Sequence, residues 1–102
     1  IKAKKSAERE ELEGLYLNVR NIREGKPAVI SLEKTFEIVK DKHPKDWLLS
    51  LEIAELCDKT NNTTLLHDVL VHLEKVKQSR PEIAHLISGG LGLFLEKVSL
   101  QH

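Results

Sequence analysis

Apolar residues recur every three or four positions along most of the chain, the spacing that places side chains on one face of an α-helix. Runs with this spacing predict five helices, at residues 7–24, 32–43, 45–58, about 63–79 and about 82–98. No segment has the two-residue alternation typical of a half-buried strand. The sequence therefore predicts an all-α fold.

Capping and breaking residues fall between the predicted helices. Gly25 is expected to end the first helix, and Ser31 to cap the second. Pro44 is expected near the start of the third helix, where a proline is tolerated. The fourth helix should begin at Asn62 or Thr63. These signals agree with the boundaries that the apolar spacing predicts.

One segment occurs twice: FEIVKDKHP at residues 36–44 corresponds to LEKVKQSRP at residues 73–81. Each copy is a helix end stopped by a proline, and the repeat length is close to the ~34 residues of tetratricopeptide repeats. We therefore expect two stacked antiparallel hairpins, made of helices one and two and helices three and four, with helix five closing the stack. An irregular helical bundle, in which the two similar helix ends coincide by chance, is the alternative.

The third predicted helix is apolar around most of its circumference, Leu48 included, so it should lie between neighbours at the centre. Trp47 is expected to anchor the core between the hairpins, and Leu86 to face inward from the fifth helix. Gly89 and Gly90 should allow that helix to pack closely on a neighbour, with or without a kink. The expected structural core residues are Trp47, Leu51, Phe36, Leu70, Leu73 and Phe94.

The 102 residues fit one domain, and its 16 basic and 16 acidic residues cancel. Because no net electrostatic field of one sign results, we expect neither nucleic acid nor a membrane as partner. The single cysteine, Cys57, excludes an internal disulfide and favours a cytoplasmic location. Because the chain begins with Ile1 and contains no methionine, it is expected to be a fragment of a longer protein.

His67 and His72 form a His-x4-His pair, a spacing with which aromatic amino acid hydroxylases hold iron. On a continuous helix, positions five apart lie ~140° around the axis, so the two rings do not easily meet one ion. Val71 and Glu74 also replace the glycine and proline of that motif. Both histidines are therefore expected to be half-exposed helix residues. We expect no catalytic, cofactor-binding or metal site in this chain.

The segment HPKDWLLSLEIAEL at residues 43–56 resembles part of the helical C-terminal extension of long bacterial phenylalanine 4-monooxygenases. An upstream pattern also fits, made of Leu15, Tyr16, Val19, Arg20, Ile22 and Arg23. The resemblance implies a parent enzyme that hydroxylates phenylalanine with non-haem iron, a tetrahydropterin and oxygen. None of those ligands maps onto this chain. The implied role is accessory: packing on its own catalytic domain or another protein chain, assembling a homo-oligomer, or conveying regulation.

Two other functions compete with this one. A tetratricopeptide-like adaptor would hold a peptide in its concave face, with Arg20, Arg23 and Trp47 as the candidate contacts. A small metal-binding enzyme depends on His67 and His72 alone.

Overall fold

The computed structural model describes the backbone of residues 2–101 and the side chains of residues 7–98. Over that range the chain forms five α-helices and no strand, which confirms the all-α prediction. The helices are α1 (Lys2–Arg23), α2 (Leu32–Lys42), α3 (Trp47–Lys59), α4 (Thr63–Ser79) and α5 (Pro81–Gln101).

Side-chain caps begin three of the helices. Ser31 Oγ accepts a hydrogen bond from the Lys34 amide at 3.2 Å, and Asn62 caps α4 in the same way. Asp46 Oδ1 accepts from the Leu49 amide, so α3 begins at Trp47 rather than at residue 45. Pro44 consequently lies in the turn ahead of α3. Gly25 ends α1 with φ of +74°, a conformation that glycine adopts without strain.

Each helix packs only on helices near it in the chain. α1 contacts α2 and α3, α2 contacts α3 and α4, and α5 contacts α3 and α4. Within the described residues α1 reaches neither α4 nor α5, and α2 does not reach α5. The thinnest dimension of 18 Å corresponds to two layers of helices ~10 Å apart. The contacts place α1, α3 and α5 in one layer and α2 and α4 in the other.

Helix α3 lies at the centre, as predicted, because it contacts all four other helices. Leu49 and Ile53 are completely buried on it, and Leu73 on α4 and Ile87 on α5 are buried beside them. Of the expected core residues, Phe36, Leu51, Leu73 and Phe94 are buried, whereas Trp47 and Leu70 are only partly buried at the edge.

Trp47 therefore does not form the centre of the core, contrary to our expectation. Trp47 is the first residue of α3, and its ring packs against the edge of the core at that end of the helix. The same correction applies to Leu48 and Leu86, which were expected to be buried and are exposed.

A buried asparagine holds the connection between α1 and α2. Asn18 Nδ2 donates to the Ile30 carbonyl at 3.0 Å and to Thr35 Oγ1 at 2.9 Å. Its Oδ1 accepts from the Val29 amide at 2.9 Å. A polar side chain buried with its hydrogen bonds satisfied fixes one conformation of the connection. The apolar spacing gave no indication of this role.

Candidate functional site

An open groove of about 670 Å³ lies along the surface where α3 and α5 meet. We call it the α3–α5 groove. Its apolar lining comes from eight residues: Trp47, Leu48, Leu51, Leu86, Gly89, Gly90, Leu93 and Phe94.

Three leucines that line this groove are exposed to solvent. Leu48 is 55% exposed, Leu86 45% and Leu93 65%. Leu86 and Leu93 are seven residues apart, about two helical turns or ~10.5 Å, so both stand on the same side of α5. Single exposed apolar residues are ordinary on protein surfaces, but a cluster lining one groove is typical of an interaction site.

The two glycines between these leucines have different surroundings. A Cβ atom added to Gly90 would lie 2.6 Å from Leu51 Cδ1 and 3.0 Å from Trp47 Cζ3. Gly90 thus allows α5 to approach α3 closely, as expected. A Cβ atom added to Gly89 would have no atom within 4 Å, so Gly89 faces the open groove and does not close-pack. α5 continues through both glycines without a break.

Charged residues border the groove, and acidic ones predominate. Glu52, Glu55 and Glu96 lie along it together with Lys97 and the exposed His85. Lys97 Nζ lies 3.4 Å from Glu55 Oε1, which offsets one of the three negative charges. In the part of the chain whose side chains are described, Glu52 and Glu96 form no ion pair. The border therefore retains an excess of negative charge.

The groove differs in charge or in size from two other clefts. A cleft of about 770 Å³ at the α2–α3 turn mixes Lys42, Lys45 and Arg80 with Asp41 and other acidic residues, so it favours neither sign of charge. A smaller cleft of about 300 Å³ lies between α1 and the α1–α2 connection and carries two exposed apolar residues, Leu17 and Val29. The α3–α5 groove combines an apolar lining with an excess of negative charge.

The histidine pair does not converge. The His67 side chain is 78% exposed, while His72 is buried with its ring edge-on to Phe36 at 5.6 Å between centroids. The expectation that both are half-exposed is therefore wrong. Burial lowers the pKa of His72, with smaller contributions from Lys40 and Lys75. Among the described residues, no group of three or more His, Cys, Asp or Glu side chains is placed to hold a metal ion.

Cys57 is buried. Burial, together with the negative charge of Glu33, raises the pKa of its thiol to about 11. The thiol therefore stays protonated at neutral pH, whereas nucleophilic attack requires the thiolate.

The fold and the groove together define an all-α protein of layered helices with an unpartnered apolar surface at one end. Comparison with family models, curated proteins and solved structures yields no match to the chain. Across residues 2–101, every helix is too short or too polar to cross a membrane.

Proposed function

We propose that this chain is a non-catalytic accessory domain that docks on another part of its own protein through the α3–α5 groove. The observation that carries the proposal is the cluster of Leu48, Leu86 and Leu93 around the open surface at Gly89. Covering these side chains removes apolar surface from water, which is the main favourable contribution in most protein association.

The size of the apolar cluster favours a tethered partner. Each of the three leucines is already about half covered, so further burial contributes on the order of 1 kcal/mol apiece. Association of two free chains costs roughly 4 kcal/mol or more in lost translational and rotational freedom. A partner on the same chain avoids most of that cost, because the linker supplies a high effective concentration. An intramolecular domain contact is therefore the better fit to a groove of this size.

The resemblance to phenylalanine 4-monooxygenases suggests which domain docks. The resembling segment, residues 43–56, supplies Trp47, Leu48 and Leu51 to the groove or its floor. The partner in this proposal is the catalytic domain of an iron- and tetrahydropterin-dependent phenylalanine 4-monooxygenase. That domain holds both cofactors, the present chain holds neither, and the whole protein is cytoplasmic.

A tetratricopeptide-like adaptor is the second candidate, and the packing of each helix on near neighbours alone favours it. In this case, the ligand is a separate peptide bound on the layer formed by α1, α3 and α5. Arg20 and Arg23 lie there, beside Tyr16 and Glu52, in a cleft between α1 and α3.

The gene provides the first test. The sequence encoding the N-terminal side of Ile1 should specify an iron- and pterin-dependent hydroxylase domain. If it specifies no such domain, the hydroxylase assignment fails and the adaptor remains.

The second test uses the intact protein and two matched substitutions on α5. Gly89→Leu fills the groove. Gly92→Leu is the control: an added Cβ atom there also meets no atom within 4 Å, but Gly92 does not line the groove. We expect limited proteolysis to separate the domain faster in Gly89→Leu than in wild type, with Gly92→Leu unchanged. Equal rates in all three proteins would contradict docking through this groove.

A further inference from the structure

We infer that the segment occupying the α3–α5 groove is an amphipathic helix whose apolar stripe is flanked by lysine or arginine. This inference rests on the proposed docking function and adds the chemistry of the partner. Three features of the groove lead to it: the shape of its floor, the absence of backbone partners there, and the sign of the charge along its border.

The floor is shaped for a crossing helix. Leu86 and Leu93 project ~10.5 Å apart along α5, and Gly89 and Gly90 leave a depression between them. Small residues at a crossing point let two helices approach closely, with a large side chain of one filling the gap of the other. A leucine or phenylalanine of the partner would lie over Gly89, against Trp47.

Backbone hydrogen bonding favours a helix over an extended peptide. α3 and α5 pair their backbone groups internally, so the middle of the groove offers no edge of free N–H and C=O groups. An extended segment lying there would bury backbone polar groups without partners, and each such group is costly. A helix satisfies its own backbone and presents apolar side chains to the groove.

The border sets the preferred charge of the partner. Glu52 and Glu96 have no ion pair within the described residues, and Glu55 is paired with Lys97. Arg20 and Arg23 lie on the α1 side of Glu52, where they line other clefts. Basic residues beside the partner's apolar stripe would therefore face unpaired carboxylates, whereas acidic residues would be repelled.

The same charges argue against a second copy of this chain as the occupant. A two-fold dimer places one surface patch against itself. Pairing two α3–α5 grooves would bring Glu52 and Glu96 of one copy towards the same acidic border of the other. Like charges brought together in a partly desolvated interface are unfavourable.

Trp47 provides a direct measurement of occupancy, because it is the only tryptophan and lies in the groove. The probes are two synthetic helical peptides of about 18 residues, or five turns, that share one leucine stripe. One carries lysine on both flanks of the stripe and the other carries glutamate. Because an untethered peptide also loses translational and rotational freedom on binding, the titration extends to millimolar peptide. Over that range we expect the lysine peptide to shift Trp47 emission to shorter wavelength saturably, and to bind about tenfold more tightly than the glutamate peptide. Added salt should reduce that difference.

Variants of the chain test the location and the charge preference, with calorimetry as a second measurement of binding. Gly89→Leu should lower the affinity for the lysine peptide by about tenfold, equivalent to 1.4 kcal/mol. Gly92→Leu should bind that peptide with the affinity of wild type. The double variant Glu52→Gln, Glu96→Gln should bring the affinities of the two peptides together. Circular dichroism of each variant verifies that the helices are retained.

The outcomes separate this inference from the function on which it rests. If both peptides bind equally and Gly89→Leu weakens both, the groove is a docking site but the preference for a basic helix is wrong. If neither peptide binds saturably, or if light scattering finds a dimer that Gly89→Leu disrupts, the inference is overturned. The rate of limited proteolysis of the intact protein carrying Gly89→Leu then tests the docking function independently.

Discussion

The two ends of the helix stack differ in the surface they present to water. On α1, the exposed residues include Glu8, Arg9, Glu10 and Glu13, and Leu17 is the one large exposed apolar side chain described there. On α5, Leu86, Leu93 and Leu95 are all exposed. The end helices of stacked helical proteins usually need a polar outer face for solubility. α1 has largely that character and α5 does not, in keeping with the docking proposed for the α5 end.

The largest predicted effect contrasts two adjacent residues of α5. Ile87 is completely buried, so Ile87→Ala should lower the free energy of unfolding by about 3 kcal/mol through lost burial and a cavity. Leu86→Ala should change it by less than about 1 kcal/mol, because about half of that residue is already exposed to water. Urea titration of both variants measures the difference. Equal losses would show that Leu86 is a core residue and that α5 has no free apolar face.

The next prediction contrasts the two neighbouring glycines. Gly90→Leu should destabilise the domain by about 2 kcal/mol, because the new side chain meets Leu51 and Trp47. Gly89→Leu should leave stability unchanged or raise it by about 0.5 kcal/mol, since leucine has the higher helix propensity and the site is open. Thermal unfolding followed by circular dichroism compares the two. A large loss in Gly89→Leu would mean that the groove is closed by the domain itself.

At the α1 end, stability depends on a polar side chain. Asn18→Ala removes the hydrogen bonds to Ile30, Thr35 and Val29 and should cost about 1–2 kcal/mol, because the buried Thr35 hydroxyl and two partly buried backbone groups lose their partner. Asn21→Ala, a less buried neighbour on the same helix, is the control and should cost less than about 0.5 kcal/mol. If the two substitutions have equal effects on the unfolding midpoint, Asn18 does not fix the connection.

The smallest predicted effect is a dependence of stability on pH. Burial lowers the pKa of His72 below its ordinary value of 6.5, so the unfolded chain binds a proton more readily there than the folded chain. The stabilisation is complete above pH 6.5 and declines as the pH falls from there through the lowered pKa.

His72→Leu should reduce this decline, and the exposed His67→Leu should retain it. Unfolding midpoints of both variants and wild type at pH 7.5 and 5.5 provide the measurement. An unchanged decline in His72→Leu would assign the pH dependence to groups other than His72.

Much of the secondary structure could be predicted because its signals are local. Ser31 and Asn62 cap α2 and α4 as their side-chain chemistry predicts, and Gly25 ends α1. The central place of α3 also followed from its nearly continuous apolar surface. The start of α3 was missed by two residues, because Asp46 and Pro44 are both plausible helix-start residues and the backbone uses Asp46 as the cap.

The groove could not be predicted in the same way. Leu86 and Ile87 are adjacent and equally apolar, and helical spacing alone assigned both to the interior. The structure separates them, because α3 and α4 cover one face of α5 and no described element covers the side that carries Leu86. Likewise Gly89 and Gly90 look equivalent in sequence, and only the position of Trp47 and Leu51 distinguishes them.

By itself, the sequence determined an all-α chain, most of its helix boundaries and its central helix, since caps and apolar spacing act within a few residues of the backbone. The tertiary structure decided which apolar side chains remain in water. That outcome depends on how many helices pack beside each face, and α5 packs on two helices whereas α3 packs on four. The exposed leucines of α5, Leu86 and Leu93, result from that difference in coverage.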